Sequence, residues 1–345
     1  MTTPTSAQPS PVGEGSSGSP TALRRLLYFL IFGLVIVGIT GGTVLLLLAD
    51  ITNRLRTPRH EPVTTVESLQ ISTFARFDEA KVFPVGITAL PDGTRLLSLL
   101  GNGQIVRLNP DGSSSLWSLL TAPGAIAAGA DGSVYVVDYS APDFRALGKL
   151  KRITPEGKVT YYGDALNAGG LSLLAQIALD GAGNVYVSDP DRALIWRVLP
   201  GGVAAPWWAI PTVGTVKAVP IGLAYRAQHN QLLAADSGTG TIYQIDLNVE
   251  QPTGEPLYRK AGIDVRTLTI DAQGQIYVSL WQHENGQVAR LEADGTLTVL
   301  AEKFRAPLGM VAVEGKVYVV NSDLPGLIAQ INAEPPFTVD VLSSK

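Results

Sequence analysis

Hydrophobic and polar positions follow different patterns in two parts of the chain. Residues 26–49 contain no charged side chain over 24 positions, whereas residues 67–345 contain short apolar runs bounded by Gly, Asn, Asp or Pro. The long run predicts a helix of about 36 Å, at a rise of about 1.5 Å per residue. That length is sufficient to cross a hydrocarbon core about 30 Å thick. The short runs predict β-strands.

The long apolar run predicts a single transmembrane α-helix at residues 26–49, in contact with the lipid bilayer. A cleaved signal peptide is one alternative, but its apolar core is shorter and ends at small residues. Here Leu45 to Leu48 continue the run. A buried helix of a soluble domain is the other alternative, although such helices rarely stay apolar on every face. Gly38 and Gly42 have the small-residue spacing that allows two helices to pack closely.

The segments beside the predicted span are polar. Residues 1–25 are rich in Ser, Pro and Gly and predict a disordered tail, and residues 50–66 predict a linker. Arg24 and Arg25 favour a cytoplasmic N-terminus and an extracytoplasmic domain under the positive-inside rule. Three Arg residues follow the span, so the orientation stays open. The pattern predicts a single-pass membrane protein.

The short apolar runs repeat every 39 to 51 residues. Each repeat has a tight turn followed by a β-rich strand, and the turns contain Gly93, Gly132, Gly183, Asn230, Gly274 and Gly315. Gly favours such turns because it accepts a positive φ. Six units with four short antiparallel strands each predict an all-β fold, a six-bladed β-propeller over residues 67–345. A pair of β-sandwiches is the alternative, but a sandwich requires no fixed period.

The first strand of the predicted propeller precedes the first complete repeat. Residues 70–77 resemble the outer strand of a blade and lead into residues 83–86, much as residues 297–304 lead into residues 306–309. We therefore expect this strand to complete the last blade, beside residues 337–342. Such a closure protects sheet edges that would otherwise be exposed.

Composition excludes several kinds of chemistry. The chain has no Cys, which excludes disulfides, thiolate metal sites and Cys nucleophiles. Its net charge is −4, with 26 basic and 30 acidic residues, and this balance disfavours nucleic acid as a partner. The sequence also contains no Walker loop, no Gly-x-Ser-x-Gly motif and no His-Glu-x-x-His motif.

Two stretches resemble known propeller families. Residues 83–87, followed by Pro91-Asp92-Gly93, and residues 183–189 resemble NHL-repeat propellers. They are also similar to the related senescence-marker/gluconolactonase and strictosidine-synthase-like propellers. The resemblance covers about residues 67–343. It implies the fold and says little about function, because these families share blades without sharing chemistry.

The gluconolactonase resemblance implies a metal site that can be compared with this sequence. Those enzymes hold a divalent cation with a Glu, an Asn and an Asp where three innermost strands start. The matching positions here are Val85, Gly124, Ala175, Ile221, Arg266 and Leu308. None is a carboxylate or Asn, and a hard cation needs oxygen ligands. The tunnel Glu of the strictosidine-synthase-like propellers has no identified counterpart either.

Polar residues recur at the end of the second strand of each blade. Six residues after the turn residues stand Leu99, Asp138, Asp189, Asp236, Leu280 and Asn321. These ends lie on the face where the innermost strands start, here called the top face. Asp138, Asp189 and Asp236 are therefore candidate ligands of a divalent cation such as calcium. Alternatively, each side chain caps a loop by accepting bonds from backbone N–H groups.

A loop on the same face carries further candidate chemistry. Trp281, His283 and Glu284 supply an aromatic ring, a base and a carboxylate to a predicted ligand-binding face that also includes Asn321. A solvated loop is the alternative, because a general base also needs a positioned substrate. Trp207 and Trp208 are adjacent on a strand, so their side chains point to opposite sides. They are candidates for partner contact, membrane contact or packing between blades.

Together, these patterns predict a membrane-anchored propeller that binds a protein partner or a small ligand on its top face. It is a candidate accessory subunit of a larger membrane assembly. The alternative is a metal-dependent, lactonase-type hydrolase that uses Asp138, Asp189 and Asp236.

Overall fold

Six antiparallel sheets, each of four strands and one extended by a fifth, form the part of the chain that the structure describes. The structure is a computed structural model that describes residues 60–143, 146–172, 175–281, 285–323 and 333–345. The sheets confirm the predicted six-bladed β-propeller. Residues 26–49, Gly38, Gly42 and the predicted tail lie outside the described residues. Within the described ranges, no helix has the length and hydropathy required to cross a bilayer.

The first three blades follow the chain in order, from the innermost strand to the outermost strand. Blade one contains β3 (Pro84–Ala89), β4 (Arg95–Leu99), β5 (Gln104–Leu108) and β6 (Ser114–Leu119). Blade two contains β7 (Pro123–Ala128), β8 (Val134–Tyr139), β9 (Gly148–Ile153) and β10 (Val159–Tyr161). Blade three contains β11 (Ile177–Leu179), β12 (Val185–Asp189), β13 (Leu194–Val198) and β14 (Ala204–Ala209). A short helix, α1 (Asp164–Gly169), lies between blades two and three.

The last three blades continue the same order, except where the ring closes. Blade four contains β15 (Pro220–Arg226), β16 (Gln231–Asp236), β17 (Thr241–Asp246) and β18 (Gly254–Arg259). Blade five contains β19 (Val265–Ile270), β20 (Ile276–Leu280), β21 (Gly286–Leu291) and β22 (Leu297–Phe304). Blade six contains β23 (Pro307–Val313), β24 (Lys316–Asn321) and β25 (Phe337–Ser344), and its outer strand is β2 (Leu69–Phe77). A 3-10 turn, Ala227–His229, precedes β16.

The turn before each second strand has the local chemistry that the sequence predicts. All six predicted turn residues have positive φ, from 49° at Asn230 to 82° at Gly274. In blade one, the Thr94 amide donates a 2.9 Å hydrogen bond to the Asp92 carboxylate. Such a side-chain bond holds the turn closed and sets the register of the two strands it joins.

The N-terminal strand closes the ring as expected. β2 pairs with β25 over its whole length, and Phe77 lies opposite Phe337. A further strand, β1 (Val63–Thr64), lies within the predicted linker and pairs with the outer edge of β22. The Thr65 amide extends this pairing by donating a 2.9 Å bond to the Leu300 carbonyl. Residues 63–64 are therefore part of a blade, because the edge of β22 offers unpaired backbone groups.

The innermost strands approach one another closely around the ring axis. A Cβ added to Gly309 would lie 2.6 Å from the Val85 carbonyl oxygen of the next blade, and one added to Gly222 would overlap the Arg266 carbonyl. Ser98 bridges blades one and two by donating a 2.5 Å bond to the Gly124 carbonyl. The axis is therefore built from backbone contacts that leave no space for side chains at these positions.

Apolar side chains fill the spaces between neighbouring blades. Trp208 is 7% exposed and packs edge-on against Tyr243, with 5.3 Å between ring centroids. Trp207 packs against Tyr186 at 4.8 Å. Trp208 therefore packs between blades three and four, which was one of the alternative interpretations of the pair, whereas Trp207 packs within blade three.

Candidate functional site

Strand pairing brings the end of each second strand beside the start of the innermost strand of the same blade. Asp138 lies opposite Pro123, Asp236 lies opposite Pro220, and Asn321 lies opposite Pro307. The recurrent polar residues therefore all lie on the top face, as the sequence predicts. The direction of each carboxylate or amide group on that face then decides what chemistry it supports.

Asp138 caps the loop that leads into its own blade. Its Oδ1 accepts hydrogen bonds from the backbone N–H groups of Thr121 at 3.0 Å and Ala122 at 2.8 Å. Its Oδ2 accepts a 2.6 Å bond from the Lys151 ammonium, and the Asp138 side chain is almost fully buried. Both carboxylate oxygens are thus occupied by donors from blade two and its leading loop.

Asp236 has the same role in blade four. Its Oδ1 accepts bonds from the amides of Val219 at 2.6 Å and Gly238 at 3.0 Å. Its Oδ2 accepts a bond of 2.5 Å from the Thr239 hydroxyl.

Asn321 repeats the arrangement in blade six. Its Oδ1 accepts bonds from the amides of Arg305 at 2.8 Å and Ala306 at 3.2 Å. An uncharged amide therefore accepts the loop bonds in blade six that a carboxylate accepts in blades two and four. Hydrogen-bond acceptance, and not charge, is the property that the three positions share.

Asp189 in blade three binds different donors. Its Oδ2 accepts bonds from the Arg192 guanidinium at 2.5 Å and from the Trp196 indole at 3.0 Å. Its Oδ1 accepts a 3.1 Å bond from the Arg192 amide. The carboxylate thus holds the loop between β12 and β13, and it is fully buried.

These contacts keep the three carboxylates apart in their own blades. Across the described ranges, no group of three or more His, Asp or Glu side chains is placed to hold a metal ion. His283 and Glu284 lie outside the described residues, whereas Trp281 lies within them. The structure therefore places Asp138, Asp189, Asp236 and Asn321 on one face without bringing them together at one point.

Arg266, Asp264 and Trp281 form a cluster on the top face that the sequence analysis did not predict. Arg266 lies near the start of the innermost strand β19 and is 8% exposed. Its Nε and Nη2 donate to Asp264 Oδ2 at 3.0 and 2.8 Å. Its guanidinium lies 4.3 Å from the centre of the Trp281 ring. The signal in the sequence is an Arg in an innermost strand, but among the positions that match the lactonase metal ligands it shows only that no carboxylate or Asn stands there.

The surroundings of Arg266 hold its side chain in one orientation. Ser237, from blade four, donates a 2.5 Å hydrogen bond to Asp264 Oδ1. The Trp281 indole N–H is buried and has no hydrogen-bond partner among the described residues. The guanidinium is thus fixed by a carboxylate on one side and an aromatic ring on the other. Fixing a cation in this way lowers the entropy that it loses when it binds an anion.

A second ion pair on the top face is buried. Arg305 Nη2 lies 2.5 Å from Asp323 Oδ2, and both side chains are less than one-tenth exposed. Arg305 also donates to the Glu334 carbonyl, and the Glu334 amide donates to Asp323 at 3.0 Å. This pair therefore joins the segment after β24 to the start of β25.

Burial raises the pKa of two groups beside the recurrent polar residues, Tyr139 next to Asp138 and Asp340 next to Asn321. Burial raises the pKa of the Tyr139 hydroxyl, which donates a 2.7 Å bond to the Ser172 carbonyl. Burial also raises the pKa of Asp340, and bonds from Thr338, Asn321 and Thr73 oppose that rise. The Tyr139 hydroxyl therefore remains a hydrogen-bond donor at neutral pH.

Solved structures of several other proteins resemble this chain in fold, although their sequences are only 11–15% identical to it. A gluconolactonase from Xanthomonas campestris matches with a TM-score of 0.62 at 11% identity, over 84% of this chain and 97% of that one. Virginiamycin B lyase from Staphylococcus aureus matches with a TM-score of 0.55 at 15% identity, over 80% of this chain and 100% of that one.

An aldose sugar dehydrogenase from Streptomyces coelicolor, solved with PQQ, matches with a TM-score of 0.54 at 15% identity, over 83% of this chain and 100% of that one. No protein family matches the sequence, and no curated protein matches it. At these identities the likeness concerns the fold alone. The chain is a six-bladed β-propeller that resembles gluconolactonase and related propeller proteins.

Proposed function

We propose that this protein is a membrane-attached binding propeller whose top face takes an anionic group of a small ligand or protein partner at Arg266. The observation that carries the proposal is the fixed guanidinium near the start of an innermost strand, bonded to Asp264 and stacked on Trp281. A guanidinium has five N–H donors, and Asp264 engages two of its nitrogens. A carboxylate or phosphate group is the complementary ligand chemistry.

Membrane attachment in this proposal depends on residues 26–49. In this proposal the N-terminus lies in the cytoplasm and the propeller outside it, because Arg24 and Arg25 directly precede the span. Such a protein would serve a larger membrane assembly as an accessory, ligand-binding subunit. The 24 consecutive uncharged residues support the membrane span.

Thermal unfolding of the full chain in detergent tests the anion site. Citrate, phosphate and glutamate are the probes, each raised to 10 mM at constant ionic strength. A ligand at ten times its Kd stabilises the folded state by about 1.4 kcal/mol, which raises the Tm by about 2–6 °C for a domain of this size. We expect at least one probe to do so, and Arg266→Gln to abolish the shift.

Arg290→Gln is the matched control, because Arg290 lies on β21 of the same blade and pairs with Glu292. That variant should keep the shift. A wild-type protein whose Tm responds to none of the three anions would overturn the proposal. An equal response from the Arg266 and Arg290 variants would also overturn it, because the anion would then bind elsewhere.

A metal-dependent lactonase is the second candidate, favoured by the structural likeness to a gluconolactonase. It requires a cation to bind Asp138, Asp189 and Asp236, whose oxygens already accept bonds from protein donors. Hydrolysis of glucono-δ-lactone that depends on added calcium or zinc, and that is lost in Asp236→Asn, would support this candidate over the binding proposal.

A further inference from the structure

The outer edge of blade one differs from the outer edges of the other described blades. It is formed by β6, which contains no charged residue and no Pro. Two of its apolar side chains are exposed, Leu116 to 57% and Leu119 to 62%. The absence of charge extends beyond the strand, over residues 112–130. An outer strand of this kind can pair with a strand from another chain, because nothing on it opposes the pairing.

Hydrogen bonds at the two ends of the β5–β6 pair fix the direction of the backbone groups between them. The Asn109 amide donates a 2.9 Å bond to the Ser113 carbonyl, and the Leu120 amide donates a 2.8 Å bond to the carbonyl of the glycine before β5. Hydrogen-bonded and non-hydrogen-bonded pairs alternate in an antiparallel ladder. Leu116 is the third pair beyond Ser113, and Leu119 is the first pair before Leu120. The backbone N–H and C=O groups of Leu116 and Leu119 therefore point away from β5, toward the open edge.

The position of Leu116 is protected in blades three, four and five. In the register of the outer strand pairs, Leu116 corresponds to Pro206 in blade three and to Pro256 in blade four. Pro has no backbone N–H to donate to an added strand. In blade five the corresponding residue is Val299, and its carbonyl already accepts a 2.6 Å bond from the Thr65 hydroxyl beside β1.

Blades two and six protect their outer edges in other ways. The outer strand of blade two, β10, has only three residues. The outer strand of blade six, β2, carries Arg76, and its Phe74 carbonyl lies against Gly112 of blade one, where a Cβ would overlap it. Short strands, charged residues and covering contacts all disfavour pairing with another chain. Among the described outer edges, that of β6 has none of these features.

The two exposed leucines make this edge complementary to a second copy of itself. Leu116 and Leu119 lie opposite Val106 and Gln104, which are two residues apart on β5, so both leucine side chains lie on the same face of the sheet. An antiparallel, two-fold arrangement can therefore place Leu116 of each copy opposite Leu119 of the other. The chain has a net charge of −4, so an uncharged edge allows two copies to approach without like-charge repulsion.

From this geometry we infer that β6 pairs with β6 of a second copy of this chain, in an antiparallel two-fold dimer. The pairing joins two four-stranded blades into one continuous sheet. The added strand β1 on β22 shows that an outer edge of this propeller accepts a further strand. A contact between two six-residue strands is smaller than the ~1,200 Å² of standard interfaces, so the dimer is weak and reversible. The pairing does not involve Arg266 and is independent of the proposed anion site.

Disulfide trapping tests the register of the dimer, because the chain has no Cys of its own. Leu116→Cys and Leu119→Cys are prepared as separate full chains with different affinity tags, mixed in detergent and oxidised. Hydrogen-bonded residues of an antiparallel pair have Cα atoms about 5.5 Å apart, which is within the range of a disulfide. We expect the mixed disulfide to form at least tenfold faster than one between two copies of Val203→Cys, a similarly exposed position in blade three. Equal rates would overturn the inference.

Sedimentation equilibrium of the full chain in density-matched detergent, over about 5–200 µM, measures the dimer itself. We expect the wild type and Val203→Lys to dimerise, and Leu116→Pro and Leu119→Lys to remain monomeric. Leu116→Pro should change the Tm little, because blades three and four have Pro at the same position. A monomeric wild type would leave this edge to a strand of another protein and would overturn the inference. A dimer that persists in both β6 variants would place the contact elsewhere and would overturn it as well.

Discussion

Asp138→Ala removes the acceptor that holds the loop leading into blade two. The variant leaves the Ala122 amide, which is buried, without its 2.8 Å partner and leaves the Lys151 ammonium without its 2.6 Å partner. The Thr121 amide also loses its partner, but Thr121 is exposed and its N–H reaches water.

The cost of this change follows from the contacts. An unsatisfied buried N–H costs about 1–3 kcal/mol. The Lys151 side chain is 19% exposed, so its lost ion pair contributes only about 1 kcal/mol more. We expect the variant to be less stable by about 3 kcal/mol, or about 6–12 °C in Tm for a domain of this size.

Asp138→Asn is the decisive comparison, because Asn321 already performs this role in blade six. An amide keeps the Oδ1 acceptor of the loop bonds, but its NH2 group replaces the oxygen that accepts from Lys151, so the ion pair is lost. We therefore expect a loss of about 1 kcal/mol, a third of the loss caused by Asp138→Ala. Asp191→Ala, an exposed change in the loop between β12 and β13 of blade three, should be neutral.

Thermal unfolding followed by tryptophan fluorescence, with urea unfolding as a second measure, compares the four proteins. The capping explanation fails if Asp138→Asn loses as much stability as Asp138→Ala. It also fails if calcium raises the Tm of the wild type and not of Asp138→Asn, because charge would then matter more than hydrogen-bond acceptance.

Two further predictions concern the ring axis and its closure. Gly222→Ala places a methyl group against the Arg266 carbonyl and should lower the Tm by more than 5 °C. Gly201→Ala is the control, because Gly201 has open space around it, and it should change the Tm little. Equal Tm values for the two variants would contradict the close approach of the innermost strands at the ring axis. Burial raises the pKa of Asp340 above 3.8, so ionisation costs stability as the pH rises through the folded pKa. Asp340→Asn removes that cost, and its urea midpoint should therefore rise relative to wild type between pH 4 and pH 7; a constant difference over that range would contradict the assignment.

Much of the fold was predictable because its signals are local. A residue with positive φ marks the turn before each second strand, from Gly93 to Gly315, and these turns recur at a nearly regular interval. Closure by β2 was also predictable, because residues 70–77 have the pattern of an outer strand that lacks a blade of its own. β1 was not predictable, because two residues, Val63 and Thr64, carry no periodic signal.

The site was less predictable because its geometry depends on distant residues. The sequence placed Asp138, Asp236 and Asn321 on one face correctly, but it left two directions open for their side chains. Loop amides 15–17 residues away decide that direction, by offering donors within the same blade. Arg266 acquires its fixed orientation from Asp264, Trp281 and a serine of the preceding blade, so its chemistry emerges only when two blades meet.

The sequence by itself determined the number of blades, their turns, the closing strand and the face on which the polar residues lie. These properties follow from periodicity and backbone propensity, which act over a few residues at a time. Only the tertiary structure decided which carboxylates are occupied and where a guanidinium is held. The carboxylates depend on loop amides of their own blade and the guanidinium depends on Asp264, which a serine of the preceding blade holds, and no local pattern specifies these contacts.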